Sequence, residues 1–310
     1  MNLVIDKALV SLSVGNRKLH STETPLLHVT DELLKAMDDK LVSIVVLLDM
    51  SKAFDSIRHD ILLQKLQSLG ISSSCLGWFN SYLSDRNQRV RIHDALSEPL
   101  PLKNGVPQGS ILGPILSTIY VDALLSVPVH SKSVCYVDAD CKLYLSFPSV
   151  DLPDAIELLN EDLRNICKWC CQNSLLINPN KTKVLLVGVP ALLCNLPTVS
   201  ISLFGKEIQP VPVTNDLGVF IDQSLTYNEH IQKLFSNCLN ELVQINRIKH
   251  LLDRKTLILL LNALVFSKLF YCSSVWSNTN KRNINKLQLI QNFAARIILG
   301  LRKYDLFRRD

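Results

Sequence analysis

The chain has 310 residues, 47% of them hydrophobic, with 33 Lys and Arg against 28 Asp and Glu. That is enough apolar material for one large core or two modest ones, which excludes a disordered chain. The formal net charge of +5 permits a polyanionic partner without demanding one, because phosphates are bound by a local basic surface and not by a global excess. Nine cysteines, odd in number and scattered, do not form the framework of a small secreted domain and point to a reducing compartment.

No apolar run reaches the ~18 residues that a bilayer crossing needs. The opening "MNLVIDKALVSLSV" carries Asp6 and Lys7 inside its apolar stretch and lacks the layout of a signal peptide. Cytoplasm and nucleus both fit, and no membrane partner is expected.

In chain order, "DELLKAMDD" (31–39) predicts a short amphipathic helix. "LVSIVVLLDM" follows, a β-branched run that reads as a strand buried on both faces and ending at Asp49. Ile61, Leu62, Leu63, Leu66 and Leu69 recur at helical spacing, with Gly70 as the stop signal. A helix at about 75–83 carries Trp78, Phe79 and Tyr82. The alternating "QRVRIHD" predicts a half-exposed strand with Arg89 and Arg91 on one face and Val90 and Ile92 on the other.

"NGVPQGSILGP" is dense in Gly and Pro and must be a loop, after which "ILSTIYVDALL" returns to helical character. Residues 133–138 and 141–147 predict two strands, and Ile156, Leu159, Leu163, Ile166 and Trp169 form one stripe of a helix over about 154–173. "SLLIN", "TKVLLVG", "ISLFG" and "DLGVFID" are short strand candidates; helices at 228–249, 254–269 and 284–299 then dominate. The composition changes near residue 225, the expected domain boundary. The whole reads as an α+β domain followed by an α-helical block.

Chemistry-bearing residues concentrate in a few places. Asp49 stands at a strand end, with Asp55 six positions on, and "YVDADC" places Asp138 and Asp140 at what reads as a turn between two strands. Asp49, Asp138 and Asp140, if brought together, make an oxygen-only cluster of three carboxylates suited to Mg²⁺, and so to two-metal phosphoryl transfer. By themselves these residues leave three readings of the turn open: a metal-binding hairpin, a damaged one, or only an acidic turn. Cys167, Cys170 and Cys171 in "CKWCC" have a C-x-x-C spacing, but no second Cys or His pair follows at zinc-site distance, and helix-buried thiols are the commoner meaning.

Taken in order, "VVLLDMSKAFDSIRHDILLQKLQSLGI", "KNGVPQGSILGPILSTIYVDAL", "YVDADCKLYLSF" and "LLINPNKTKVLLVG" resemble motifs A, B, C and D of the reverse transcriptases of non-LTR (LINE-type) retrotransposons. The resemblance runs over roughly residues 17–301. It implies a right-hand polymerase palm, a mixed or antiparallel sheet with packed helices, plus a helical thumb-like C-terminal block. Residues 1–40 would be a remnant of the fingers, 41–225 the palm with motifs A to D, and 226–310 the thumb-like region.

The implied activity is RNA-directed DNA polymerisation with Mg²⁺ or Mn²⁺, an RNA template, a DNA primer and dNTPs. Carried over by position, Asp49, Asp138 and Asp140 would be the catalytic metal ligands. Lys181 would protonate or screen the departing pyrophosphate. Phe54 would be the aromatic gate under the sugar, and Gly105, Pro107, Gln108 and Gly109 the bend that lets backbone approach the nucleotide. Arg17 aligns only weakly with a fingers arginine.

One departure matters. The family has two adjacent aspartates in motif C, whereas this chain reads Tyr136-Val137-Asp138-Ala139-Asp140, which implies a one-residue insertion in the turn. Residues i and i+2 of a strand share a face, so both acids could still reach metal across a bulge. Against that, a displacement near 1 Å can cost on the order of a hundredfold in rate. The alternative is a catalytically dead palm–thumb remnant that holds nucleic acid through Arg86, Arg89, Arg91, Lys181, Lys183, Lys281 and Arg282.

Overall fold

The structure is a computed structural model, described over residues 21–135 and 141–301. It divides into two compact units, Met1–Val211 and Pro212–Asp310. The helix expected at 31–39 begins earlier, at α1 (Glu23–Asp38), because Pro25, Leu26, Val29 and Thr30 extend the buried stripe of Leu33 and Ala36 by two turns.

The first unit is built on a four-stranded antiparallel sheet. Its strands are β1 (Val42–Leu48), β2 (Lys132–Cys135), β3 (Cys141–Phe147) and β4 (Lys183–Val187), in the order β4-β1-β3-β2. β1 therefore lies in the middle of the sheet. Val42, Ile44, Val46 and Leu48 on one face and Val45 on the other are all buried, which is why this run is apolar without alternation. β1 pairs with β3 from Val42↔Phe147 to Leu48↔Cys141, and with β4 from Ser43↔Val187 to Leu47↔Lys183. In that register Ser43 and Ser146 are opposite each other and their hydroxyls lie 2.8 Å apart, so the two polar side chains of a buried row satisfy each other.

Helices α2 (His59–Ser68), α3 (Ser73–Leu83), α4 (Gly113–Val121) and α5 (Leu152–Gln172) supply the rest of this core through Leu62, Leu66, Phe79, Leu83, Leu116, Leu159, Leu163 and Ile166. α5 also carries Asp162, which is fully buried. Its carboxylate accepts from the amides of Val129 (2.7 Å), His130 (3.1 Å) and Ser131 (2.7 Å) and from the Ser131 hydroxyl (2.7 Å), fixing the turn that delivers β2.

The expected strand over "QRVRIHD" is corrected. Asn87–Gln88 pairs with Leu100–Pro101 and Arg91–Ile92 with Ala95–Leu96, giving a ribbon exposed on both sides, with Val90 62% and Ile92 65% exposed. Alternation in the sequence presumes a core for one face to meet, and here none is provided.

The second unit opens with the hairpin β5 (Val213–Asp216) and β6 (Val219–Asp222), followed by α6 (Asn228–Ile248), α7 (Arg254–Leu261) and α8 (Lys281–Leu299). α7 continues to Leu269 through a π-turn at Asn262–Phe266. Asp222 gathers the amides of Ser224, Thr226 and Tyr227 at 3.1, 3.0 and 2.6 Å, which sets the entry to α6. Among the described residues no helix is long and apolar enough to cross a membrane.

Candidate active site

Asp49 leaves β1 directly after Leu48, and its backbone carbonyl accepts from the Asn178 amide at 2.9 Å. Among the described residues one of its carboxylate oxygens, Oδ2, is buried without a hydrogen-bond partner, although the side chain as a whole is one-third exposed. The Lys181 ammonium stands 3.7 Å from that oxygen, too long for a hydrogen bond and close enough for attraction. A buried acceptor left unpaired is costly and invites a cation.

Asp138 and Asp140 lie outside the described residues. The strand ends that bracket them are described: Cys135 and Cys141 face each other across β2 and β3, Cα atoms 4.3 Å apart and joined by a disulfide. Cys141 is also paired with Leu48, the residue before Asp49. The described strand end at Cys141 thus lies beside the residue that precedes Asp49. Among the described residues no group of three His, Cys, Asp or Glu side chains is placed to hold a metal, so Asp49 is the one candidate ligand whose geometry is on view.

Motifs A and B meet through backbone. Gly105 adopts φ +90° and its amide donates to the Ile57 carbonyl at 2.7 Å, while the Val106 amide donates to the Phe54 carbonyl at 3.0 Å. A Cβ on Gly105 would lie 3.0 Å from Asp55 Cα and 3.1 Å from the Asp55 and Phe54 carbonyl oxygens. Glycine is required here for both conformation and space. Gly109 (φ +81°) needs glycine for conformation alone, since open space surrounds its missing Cβ. Further on, the Ser110 hydroxyl donates to the Pro107 carbonyl at 2.8 Å and accepts from the Gly113 amide at 3.0 Å, so the loop closes on itself before α4 starts.

A cleft of about 450 Å³ opens against this loop, lined among others by Lys52, His59, Arg86, Gln88, Gly105 and Gln108. Phe54 is half-buried and packs its side chain against the core of the first unit, while its own carbonyl forms part of the seat of Gly105. Lys181 sits in a turn started by Asn178, whose side-chain oxygen accepts from the Asn180 amide at 3.0 Å and whose carbonyl accepts from the Lys181 amide at 3.2 Å. Its side chain is 67% exposed.

Sequence reasoning missed three residues that shape this region. His59 reaches across to the motif B loop, its Nε2 2.7 Å from the Gly105 carbonyl oxygen. Lys65 is wedged between the Tyr120 and Trp169 rings, 4.5 and 4.7 Å from their centroids, and burial lowers its pKa to about 8. Asp162 acts from a distance of more than thirty residues. Of these, only His59 had a local signal, as a polar residue beginning an otherwise apolar-striped helix. In "CKWCC", burial pushes the Cys170 thiol up to about 12 and Cys167 to about 11, which suits core packing and opposes metal binding, since a thiolate is what a metal takes.

The family model described as reverse transcriptase (RNA-dependent DNA polymerase) matches residues 1–214. Among curated proteins, a probable RNA-directed DNA polymerase from transposon BS of Drosophila melanogaster is 31% identical over 92% of this chain and 32% of its own length. The RNA-directed DNA polymerase from the mobile element jockey of the same organism is 26% identical over 96% of this chain and 32% of its own. The chain therefore spans about a third of the length of these relatives. Apo telomerase from Candida tropicalis shares the fold with a TM-score of 0.50, at 14% identity over 96% of this chain and 54% of that one, in keeping with a polymerase palm followed by a thumb-like helical block. With ordered motifs, a matched fold and a family model covering more than half its residues, the chain belongs to the reverse transcriptase family, on its non-LTR (LINE-type) retrotransposon branch.

Proposed function

We infer that the chain is the palm and thumb-like part of an RNA-directed DNA polymerase that extends a DNA primer on an RNA template. The observation that carries this reading is the orphaned Asp49 oxygen beside Lys181, one residue from the strand pair that leads into Asp138 and Asp140. Asp49 together with Asp138 and Asp140 would hold a divalent cation, Mg²⁺ or Mn²⁺, which when bound would supply activation of the primer 3′-hydroxyl and charge neutralisation at the phosphates. The primer 3′-hydroxyl gives up its proton to solvent, its oxygen bonds to the α-phosphorus of a dNTP, and the bond from that phosphorus to pyrophosphate breaks. Lys181 screens or protonates the departing pyrophosphate.

The loop Gly105-Val-Pro-Gln-Gly109 positions the incoming nucleotide over Phe54, which excludes a 2′-hydroxyl, and the palm is taken as residues 41–225, with 1–40 a fingers remnant and 226–310 the thumb-like region. The inserted residue in Tyr136-Val137-Asp138-Ala139-Asp140 favours a second reading, in which the chain binds nucleic acid and polymerises poorly or not at all.

Primer extension on poly(rA)·oligo(dT) with Mg²⁺ or Mn²⁺ separates the two. Incorporation that drops about a thousandfold in Asp49→Ala supports the polymerase; no incorporation at high protein concentration supports the binding remnant. Deletion of Ala139 should raise the rate, and no gain would clear the insertion of blame.

A further inference from the structure

Tryptophan is normally taken out of water, so an open indole calls for a reason. Trp78 and Tyr82 lie one turn apart on α3, and their rings stack with centroids 5.5 Å apart and planes 10° from parallel. The chain then turns at Asp85 (φ +56°) and brings the Arg86 guanidinium back over the Tyr82 ring, 4.4 Å from its centroid. Arg86 is held there by its Nε, which donates to the Tyr82 carbonyl.

The column is thus built, not accidental. The buried Phe79 meets the Trp78 ring edge-on, centroids 5.2 Å apart at 80°, which fixes how the indole is presented while leaving it 55% exposed. The Arg86 end lines the cleft beside Gly105 and Gln108. Facing that cleft are Lys52 and His59 with Asp55 as the acidic neighbour, and the ribbon beyond carries Arg89 and Arg91 together with Asp94 and Glu98.

We propose that the Trp78–Tyr82–Arg86 column is a stacking platform for an unpaired nucleic-acid base, so that a single strand runs along α3 from the cleft. An unpaired base has a free π-face for the indole, whereas bases in a duplex already cover one another. The guanidinium strengthens the column by cation–π contact and supplies the charge that a phosphate backbone meets. Calling that strand the template rests on the polymerase reading; the platform itself does not.

The test is binding without turnover. Fluorescence anisotropy compares a labelled RNA–DNA hybrid bearing a 5′ RNA overhang with the blunt hybrid of equal duplex length, for the wild type, Trp78→Ala and Trp78→Phe. Trp78→Ala should weaken overhang binding about tenfold and leave the blunt hybrid unchanged, while Trp78→Phe retains most of the affinity. Equal losses on both nucleic acids, no loss at all, or a phenylalanine variant as poor as the alanine one would overturn the platform. An unchanged thermal midpoint confirms that the exposed position was altered without opening the core. Should the wild type fail in primer extension and still show the overhang-specific loss, the platform stands and the polymerase reading falls.

Discussion

Two loops reach the segment that follows β1, and they are fixed in opposite ways. The loop at Gly105 lands on Phe54, Asp55 and Ile57 with its own backbone, through amide-to-carbonyl bonds of 2.7 and 3.0 Å and a van der Waals fit with no room for a methyl group. The turn at Asn178 meets the Asp49 backbone through one amide-to-carbonyl bond, is tied from outside by the Lys206 ammonium on the Asn180 side chain, and leaves Lys181 on an exposed stem 3.7 Å from the Asp49 carboxylate. On the proposed function, the Gly105 loop would line a nucleotide pocket that has to keep its shape between turnovers, which backbone suits, and Lys181 would meet a departing pyrophosphate, which a long side chain suits.

Breaking the rigid side should have the larger effect. Gly105→Ala places a methyl group against the backbone of Asp55 at a residue held at φ +90°. The strain and clash should cost about 2 kcal/mol of stability, and the loop displacement should lower primer extension on the order of a hundredfold. Chemical denaturation and initial rates at saturating dNTP check the two numbers. A variant with wild-type rates would mean that the close seat of motif B on motif A is not needed for chemistry.

The exposed side is tested by Lys181→Met, expected to slow extension about tenfold without moving the thermal midpoint. Lys181→Arg sharpens it. Arginine keeps the positive charge near Asp49 but does not release a proton near neutral pH, so a rescued rate assigns screening to Lys181 and an unrescued one assigns proton transfer. Retained activity in Lys181→Met would detach the lysine from the reaction.

The same contrast explains what the sequence could disclose. β1, α2 and α5 were legible because a buried strand and an amphipathic helix write their burial into local periodicity. The Gly105 loop was legible as a loop, and Gly105 itself as a close-approach residue, yet its landing place on Phe54 and Asp55 is a contact across fifty residues that no local pattern encodes. Asp162 under the Val129–Ser131 turn and the Cys135–Cys141 bridge belong to the same class, since each joins residues that only the register of β2 and β3, or the placement of α5, brings together. The exposed ribbon at 87–101 shows the reverse error, a periodicity that promised a buried face where the fold supplies nothing to bury it.

His59 offers the finest test of the comparison, because it adds a side-chain latch to a loop already held by backbone. Its Nε2 lies 2.7 Å from the Gly105 carbonyl oxygen and donates to it, whether the ring is neutral with the proton on Nε2 or cationic. His59→Leu fills similar volume and removes the donor, leaving the carbonyl to the cleft; the net loss should be about 1 kcal/mol of stability, with extension falling only a few-fold, expressed in KM for dNTP more than in kcat. His59→Gln returns an amide N–H at nearly the same reach and should recover most of both. If leucine and glutamine behave alike, the ring acts by packing and the latch has no role; if glutamine alone recovers KM, the hydrogen bond holds the nucleotide-side wall in place after the backbone bonds have set its position.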